Sequence, residues 1–225
     1  MELKNNIRID KGKTAFLIID MQNSYCHPNG SIGRNGYNST MMNATIPKVK
    51  ELLEVSRSNG ILDIWTIQNH YQDDKTRFNR LIPPHTHRWK AGSPALKDTW
   101  DAKVVDELKD FINNDTELIT KHRFSSFYDT RLDTLLRMKG ITTLIIAGVA
   151  TTHCVETTVR DAYQRDYDVI VAGEAVAGQS LEDHESSIRL INKLFGVVLT
   201  NTQVMSLMRG EEISYDLKIE SMVNE

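Results

Sequence analysis

Four runs of apolar, largely β-branched residues constrain the fold of this chain more than any other feature. They are TAFLIID at 14–20, ILDIWTI at 61–67, TTLIIAGVA at 142–150 and DVIVAGEAV at 168–176. Apolar sequence that is continuous rather than alternating is typical of strands buried on both faces of a sheet. Shorter strands are predicted at ELIT and at 195–201. The segments between the strands show the apolar periodicity of helices, which predicts helices over 45–59, 129–139, about 154–165, 181–194 and 202–209.

Strands that alternate with helices predict an α/β fold, with a central, mostly parallel sheet between two helical layers. In such three-layer α/β/α folds the ligand binds at the carboxyl ends of the strands. That rule selects the residues that follow each apolar run: Asp20, 68–70, 150–154 and 173–179. We therefore expect a functional site where these segments meet.

Length and charge favour a single domain over 1–225 that acts on a small molecule. The 225 residues carry a net charge of -3, with acidic and basic residues interleaved, so neither nucleic acid nor an anionic membrane is predicted as a partner. No leader sequence and no long apolar run is visible, which favours a cytoplasmic protein. The polar segment 71–100 is too long for an ordinary connection and is interpreted as a loop or arm for a pocket or an oligomer.

Cys154 lies where an apolar strand changes to a helical pattern, in GVATTHCVETT at 148–158. A helix N-terminus favours the thiolate and directs backbone N–H groups towards an oxygen of a substrate, so this thiol is a candidate nucleophile. The alternative is that Cys154 is a small apolar core residue. Only one other cysteine, Cys26, is present, which disfavours a disulfide framework.

A nucleophilic thiol needs a base, and Asp20 is the better of two candidates. Parallel strands bring Asp20 to the same sheet edge as Cys154, whereas the adjacent His153 is expected to point elsewhere. Lys121 follows a short strand and is able to balance the charge of an Asp–thiolate pair. The alternatives are a turn-forming aspartate and an ordinary surface lysine.

Three motifs, in this order, resemble the isochorismatase-like cysteine hydrolases over about residues 12 to 208. They are FLIIDMQNSY, KHRFSSFYDT and GVATTHCVETTVRDAYQRDYDVIVAGEAVAG. The resemblance implies an α/β/α fold and a catalytic triad of Asp20, Lys121 and Cys154. It also implies a cis peptide between Val149 and Ala150, an oxyanion hole formed by the N–H groups of Ala150 and Cys154, and a homodimer or homotetramer.

Differences within the family narrow the chemistry. Members that cleave the vinyl ether of isochorismate lack the nucleophilic cysteine, so Cys154 favours cleavage of a C–N bond. Nicotinamidases of the family bind a metal through Asp-x-His, but His70 has no aspartate two residues before it. His85 and His87 are nearby, yet their spacing does not guarantee convergent ligands. We therefore predict neither a metal nor another cofactor.

The sequence most resembles the ureidoacrylate and biuret hydrolases, in a group that also includes N-carbamoylsarcosine amidohydrolases. This resemblance predicts hydrolysis of a small ureido or N-carbamoyl compound through a covalent intermediate, with release of ammonia or carbamate. Another amidase activity, such as that of a nicotinamidase, and a non-catalytic binding protein are the alternatives. Planar, polar substrates of this type need several hydrogen-bonding partners. The candidates for substrate binding are Gln22, Asn23, Tyr25, Asn69, Tyr71, Phe127 and Tyr128.

Overall fold

The computed structural model describes residues 4–75, 81–82 and 92–216. Within these ranges the chain forms strands at every predicted position and one further pair that joins the two ends of the described chain. The strands are β1 (Lys4–Ile7), β2 (Thr14–Ile19), β3 (Leu62–Gln68), β4 (Glu117–Lys121), β5 (Thr143–Val149), β6 (Asp168–Ala177), β7 (Val197–Leu199) and β8 (Ile213–Asp216).

The central sheet has six strands in the order β4-β3-β2-β5-β6-β7, and every neighbouring pair is parallel. Along the chain, β2, β3 and β4 are added in turn towards one edge of the sheet. The strands β5, β6 and β7 are then added in turn on the other side of β2, towards the opposite edge. The carboxyl ends of β2 and β5 therefore flank the point where the strand order reverses. In open α/β sheets, this point is where ligands bind.

Helices cover both faces of the sheet. The helices are α1 (Asn23–Cys26), α2 (Ser31–Arg34), α3 (Thr40–Ala44), α4 (Ile46–Ser58), α5 (Leu132–Met138), α6 (Glu156–Tyr163), α7 (Leu181–Leu194) and α8 (Asn201–Arg209). Short 3-10 turns occur at Lys11–Lys13, Trp100–Ala102 and Lys109–Phe111, and a π-helical turn occurs at Thr151–Val155. None of these helices has the length and apolar character needed to cross a membrane.

Alternate residues of β2 point into two separate cores, which confirms the three-layer architecture. Phe16 packs in one core with Leu52 of α4 and Leu207 of α8. Leu17 packs on the opposite face with Leu136 of α5, in a core that also includes α6 and α7. The central strand β2 is thus buried from both sides, which explains why its sequence is apolar at consecutive positions.

The main helices begin and end close to their predicted limits because local signals fix them. For α8, the Thr200 hydroxyl and the Gln203 side chain form a capping box, and Gly210 ends the helix in a left-handed conformation with φ 91°. The sequence did not predict α1, α2 and α3, which are too short to show a helical period. It also did not predict the antiparallel β1–β8 pair, whose two strands come from opposite ends of the described chain.

The predicted arm over 71–100 is described at 71–75, 81–82 and 92–100, and Pro83 and Pro84 lie outside the described residues. Its last part returns to the carboxyl end of β3, where His70 and Leu96 form an isolated parallel bridge. The Ala95 N–H donates to the Ser24 hydroxyl and to the buried Asp101 carboxylate, both at 2.9 Å. This end of the segment is therefore fixed beside the switch point.

Candidate active site

Asp20, Lys121 and Cys154, called the triad below, meet at the carboxyl edge of the sheet. The Lys121 ammonium lies 2.6 Å from Asp20 Oδ2 and donates to Cys154 Sγ at 3.3 Å. The Asp20 carboxylate and the Lys121 ammonium both influence the Cys154 thiol, since the first raises its pKa and the second lowers it. The side chains of Asp20 and Lys121 are fully buried. The cation therefore contacts both the base and the thiol, and the three groups are shielded from bulk water.

The register of the parallel strands brings the triad together. Ile19, the last residue of β2, pairs with Gly148 of β5 and with Thr66 of β3. Asp20 follows Ile19 and so lies level with the end of β5, where the turn that carries Cys154 begins. On the other side of β3, Gln68 pairs with Lys121 at the end of β4. The sheet therefore carries two members of the triad at strand ends, and the turn after β5 carries the third.

The backbone at the end of β2 turns sharply to direct the Asp20 carboxylate into this edge. Asp20 has a φ of 52°, in the left-handed region that aspartate tolerates better than most residues. The Thr66 hydroxyl donates to Asp20 Oδ1 at 2.9 Å, which leaves Oδ2 for Lys121. Gly148 permits the close approach of β5, since a Cβ at this position would lie 2.0 Å from the Ile19 carbonyl oxygen.

Lys121 remains charged although it is completely buried. Burial lowers the pKa of Lys121, but the attraction of Asp20 and of Cys154 outweighs this effect and raises the pKa above its ordinary value. Its ammonium also donates to Gln68 Oε1 at 2.9 Å and to the Arg123 carbonyl oxygen at 3.1 Å. A buried charge with this set of acceptors satisfies the requirement for pairing and hydrogen bonding.

Cys154 lies in the π-helical turn Thr151–Val155 that precedes α6, so its predicted place near a helix N-terminus is observed. The expectation that this position lowers the pKa of the thiol is wrong. Burial raises the pKa of Cys154 to about 12; Lys121 opposes this rise, and Asp20 adds to it. The desolvation cost of a thiolate in this site exceeds the favourable field of the helix and the lysine. The resting group is a neutral thiol.

The peptide bond between Val149 and Ala150 is cis, as the resemblance implies. It joins β5 to the π-helical turn. The N–H groups of His153 and Val155, in this turn, both donate to the Ala150 carbonyl oxygen. The role of the Ala150 and Cys154 N–H groups as an oxyanion hole stays a prediction. Their place fits it, because both residues border the cavity described next.

A small cavity of about 110 Å³ opens in front of Cys154. Its polar lining residues are Tyr25, Tyr37, Gln68, His70, His153 and Gln179. Ile32, Pro94 and Phe124 add apolar surface. Pro94 comes from the described end of segment 71–100, so this end of the segment contributes to the cavity wall. The cavity is suited to a small, partly polar molecule.

Two residues predicted to bind substrate have structural roles instead. Gln22 is fully buried, and its Nε2 donates to the carbonyl oxygens of Gln68 and Ala102 at 2.9 and 2.6 Å. Its Oε1 accepts the Gln68 N–H at 2.8 Å, so both ends of the amide are used. Asn23 donates through Nδ2 to the Trp100 carbonyl oxygen at 3.0 Å. Both side chains hold the segment around Trp100 against the end of β3.

Of the other predicted substrate contacts, Tyr25 borders the cavity, whereas Asn69, Tyr71, Phe127 and Tyr128 are not among its described lining residues. Phe127 is buried and stacks on Tyr167 within the core, at 5.8 Å between ring centroids. Tyr128 is 60% exposed, and the ring of Tyr71 packs against His122. Residues close to the motif in sequence thus need not face the same space, and a role of these four in substrate binding stays a prediction.

The sequence analysis did not assign a role to several residues that line the cavity, although the strand-end rule selected three of them. Gln68 ends β3, His70 lies two residues beyond it and Gln179 follows β6, all within segments identified from the sequence. The missing information was the direction of each side chain. Tyr37, Ile32 and Phe124 come from loops and a short helix whose path carried no sequence signal.

The described residues contain no cluster of three or more His, Cys, Asp or Glu side chains arranged to bind a metal ion. His85 and His87 lie outside the described residues. At the position two residues before His70, Gln68 uses its Oε1 to accept from Lys121 and is a neutral amide. This donor is weaker for a transition metal than the carboxylate of an Asp-x-His motif.

Comparison with known proteins agrees with this geometry. The family model described as isochorismatase domain matches residues 14–203. A ureidoacrylate amidohydrolase from Methylorubrum extorquens is 32% identical over 205 residues, which cover 85% of this chain and 81% of the relative. A protein from Arabidopsis thaliana, named as a probable inactive nicotinamidase, is 36% identical over 177 residues, or 78% of this chain and 86% of the relative.

The fold comparison gives the same result. The crystal structure of a cysteine hydrolase from Pseudomonas syringae pv. phaseolicola superposes with a TM-score of 0.77 at 26% sequence identity, and the match covers 90% of this chain and 95% of that one. The family match spans every strand of the central sheet and all three members of the triad. The chain therefore belongs to the isochorismatase family.

Proposed function

We propose that this protein is a metal-free cysteine hydrolase that cleaves a C–N bond in a small ureido or N-carbamoyl compound. One observation carries the proposal: the Lys121 ammonium contacts both Asp20 and the Cys154 thiol beside a small cavity. The similarity to a ureidoacrylate amidohydrolase over most of both chains supports the substrate class. The neutral Gln68 at the position of a metal-binding aspartate supports chemistry without a metal.

In the first half of the reaction, Asp20 removes the proton of the Cys154 thiol as the sulfur attacks the carbonyl carbon. Because the pKa of the resting thiol is about 12, proton transfer accompanies attack rather than preceding it. A C–S bond forms and the carbonyl π electrons move to oxygen, where the backbone N–H groups of Ala150 and Cys154 stabilise the charge. Asp20 then donates its proton to the leaving nitrogen as the C–N bond breaks.

In the second half, water hydrolyses the acyl- or carbamoyl-enzyme. Asp20, again unprotonated, takes a proton from the water as its oxygen bonds to the carbonyl carbon. The C–S bond breaks, and the sulfur receives its proton back from Asp20. Lys121 keeps a positive charge beside the carboxylate and the sulfur throughout the cycle. Two steps with a covalent intermediate replace one direct displacement.

A panel of potential substrates tests the proposal. Ammonia release is measured with ureido acids, biuret, N-carbamoyl amino acids and nicotinamide, with the wild-type chain and with Cys154→Ala. We expect turnover of ureido or N-carbamoyl compounds in preference to nicotinamide, and none with Cys154→Ala. Turnover of nicotinamide alone, abolished by a metal chelator and restored by iron or zinc, would show a metal-dependent nicotinamidase instead.

A non-catalytic protein of the same fold is the second candidate, because the Arabidopsis thaliana relative is named as inactive. The buried contact between Asp20 and Lys121 argues against it. Holding a charged pair next to a thiol at a cavity contributes little to stability, since replacing buried ion pairs by apolar residues is often neutral or stabilising. Absence of turnover across the panel, with tight binding of one compound, would favour this candidate.

A further inference from the structure

The amide of Gln68 has a fixed orientation. Lys121 Nζ lies 2.9 Å from one end of the amide, and an ammonium group has only donors. The side-chain oxygen of Gln68, Oε1, must therefore face the lysine, so the NH₂ group points away from the lysine. The chemistry of the hydrogen bond alone therefore fixes which end of the amide carries the oxygen.

The NH₂ group of Gln68 is a buried donor that has no partner in the part of the chain that the structure describes. Gln68 is 2% exposed and borders the cavity, and its Nε2 has no hydrogen bond within the described part of the chain. An unpaired donor that is shielded from water is costly, so native proteins rarely keep one without a reason. A ligand that enters the cavity is able to supply the missing acceptor.

A second buried glutamine shows that the chain satisfies such groups where they serve the fold. Gln22 lies three residues after β2, whereas Gln68 is the last residue of β3, and the hydrogen bonds of the Gln22 side chain to the described residues are all to backbone groups. The side-chain oxygen of Gln68, in contrast, contacts the catalytic lysine, and its NH₂ group has no acceptor among the described residues. The difference points to a role for Gln68 in ligand binding rather than in the fold.

We propose that Gln68 Nε2 donates a hydrogen bond to a second acceptor oxygen of the substrate, beyond the carbonyl group that Cys154 attacks. The oxyanion at the attacked carbon is assigned to backbone donors, so it does not need Gln68. The favoured substrates are then N-acyl ureas and related compounds, in which another carbonyl or carboxylate oxygen follows the scissile unit. This inference rests on the proposed function and specifies the substrate class within it.

Binding of two similar ureas tests the role of Gln68. N-acetylurea has the second carbonyl oxygen, and N-isopropylurea has a CH group with a methyl in its place. Dissociation constants are measured by calorimetry in a Cys154→Ala background, which binds without turnover. We expect N-acetylurea to bind about 10- to 100-fold more tightly, because the analogue leaves a buried donor unpaired.

Two substitutions then separate the donor of Gln68 from its contact with Lys121. Gln68→Met removes both groups, and the preference for N-acetylurea is expected to fall to about twofold or less. Gln68→Glu keeps an oxygen for Lys121 and replaces the NH₂ group by a second oxygen, which is expected to remove or reverse the preference. An effect that acts only through Lys121 would weaken both ligands equally and leave the ratio unchanged.

The outcomes distinguish this inference from the proposed function. A preference that persists in both Gln68 variants, equal binding of the two ureas, or binding of neither would contradict the role of Gln68. Ammonia release by the wild-type chain is measured separately with the same compounds. A Gln68-dependent binding preference without any C–N cleavage would support the inference and contradict the proposed function.

Discussion

The two cysteines of this chain lie on opposite faces of the central sheet and differ in their surroundings. Cys26 ends α1 and is fully buried in the core that includes α4 and α8. Cys154 belongs to the other core but borders the cavity and receives a hydrogen bond from Lys121 at 3.3 Å. Burial is the largest influence on each thiol and raises both pKa values.

Burial therefore does not distinguish a catalytic thiol from an inert one. The negative charge of Asp20 raises the pKa of both cysteines, but of the two only Cys154 receives a hydrogen bond from Lys121, which also contacts Asp20. Three features distinguish Cys154: a neighbouring base, a cation in contact and access for a ligand. Substitutions that remove the thiol, the base and the cation test this contrast, and they follow in order of decreasing expected effect.

Removing each thiol in turn should give the largest contrast. Cys154→Ser is expected to lower kcat on the best substrate of the panel by on the order of 10⁴-fold or more, since the nucleophile is lost. Cys26→Ser, at the matched position on the opposite face, is expected to change kcat by less than about twofold once folding is verified. Comparable losses in both variants would contradict the assignment.

Removing the base should give the next largest effect. Asp20→Asn keeps the shape of the side chain but not its ability to accept the thiol proton, so kcat is expected to fall by about 10²- to 10⁴-fold. Asp63→Asn serves as the control, because Asp63 lies on β3 and pairs with Arg57 at 2.9 Å, away from the cavity. Steady-state kinetics of both variants at neutral pH provide the measurement, and full activity of Asp20→Asn would rule out the base.

Removing the cation should affect stability as well as rate. Lys121→Met leaves the Asp20 carboxylate buried without its counter-charge, so the free energy of unfolding is expected to fall by about 3–5 kcal/mol. Adding Asp20→Asn to Lys121→Met should recover part of this loss. Urea unfolding of the single and the double variant measures the loss and the recovery. The control is Lys139→Met at an exposed position, whose free energy of unfolding is expected within about 0.5 kcal/mol of wild type. No recovery in the double variant would contradict a coupled pair.

The smallest expected effect is a loss of stability at alkaline pH, which the two cysteines should share. A group whose pKa is higher in the folded state keeps its proton there while the unfolded chain loses it, so its contribution to stability falls as pH rises. From the ordinary thiol value of 9.0, each buried cysteine is expected to cost about 1 kcal/mol of stability between pH 9 and 10.

Urea unfolding at these two pH values checks this expectation. Cys26→Ser and Cys154→Ser should each make the alkaline loss of stability smaller by a similar amount, although they differ by orders of magnitude in activity. A pH dependence that only Cys154→Ser reduces would mean that burial does not affect the two thiols alike. Lys121, whose pKa is also raised, adds to the loss at higher pH.

The fold and the triad follow from the sequence because both depend on the strands. Continuous apolar runs define β2 and β5, and parallel pairing places the residue after each strand at one edge of the sheet. Asp20 and Lys121 end their strands directly, so their proximity is a consequence of register. Cys154 lies only a few residues beyond β5, in a turn whose compactness limits how far it departs from that edge.

The cavity wall was less predictable because it depends on contacts between distant segments. Gln22 and Gln68 both lie near the carboxyl end of a strand, and backbone contacts with Gln68 and with Ala102, from later segments of the chain, identify Gln22 as structural. The pKa of Cys154 depends on its burial, which the helix pattern alone does not reveal. Pairing of β1 with β8 likewise joins residues that are about as far apart as the chain allows.

The covalent intermediate tests the central claim most directly. A compound identified as a substrate is mixed with excess wild-type chain, the reaction is quenched in acid within a single turnover, and peptides are examined by mass spectrometry. We expect the peptide that contains Cys154 to gain the mass of the acyl or carbamoyl group, and the peptide that contains Cys26 to remain unmodified. An adduct on Cys26, or product formed with Cys154 unmodified at every quench time, would contradict the account.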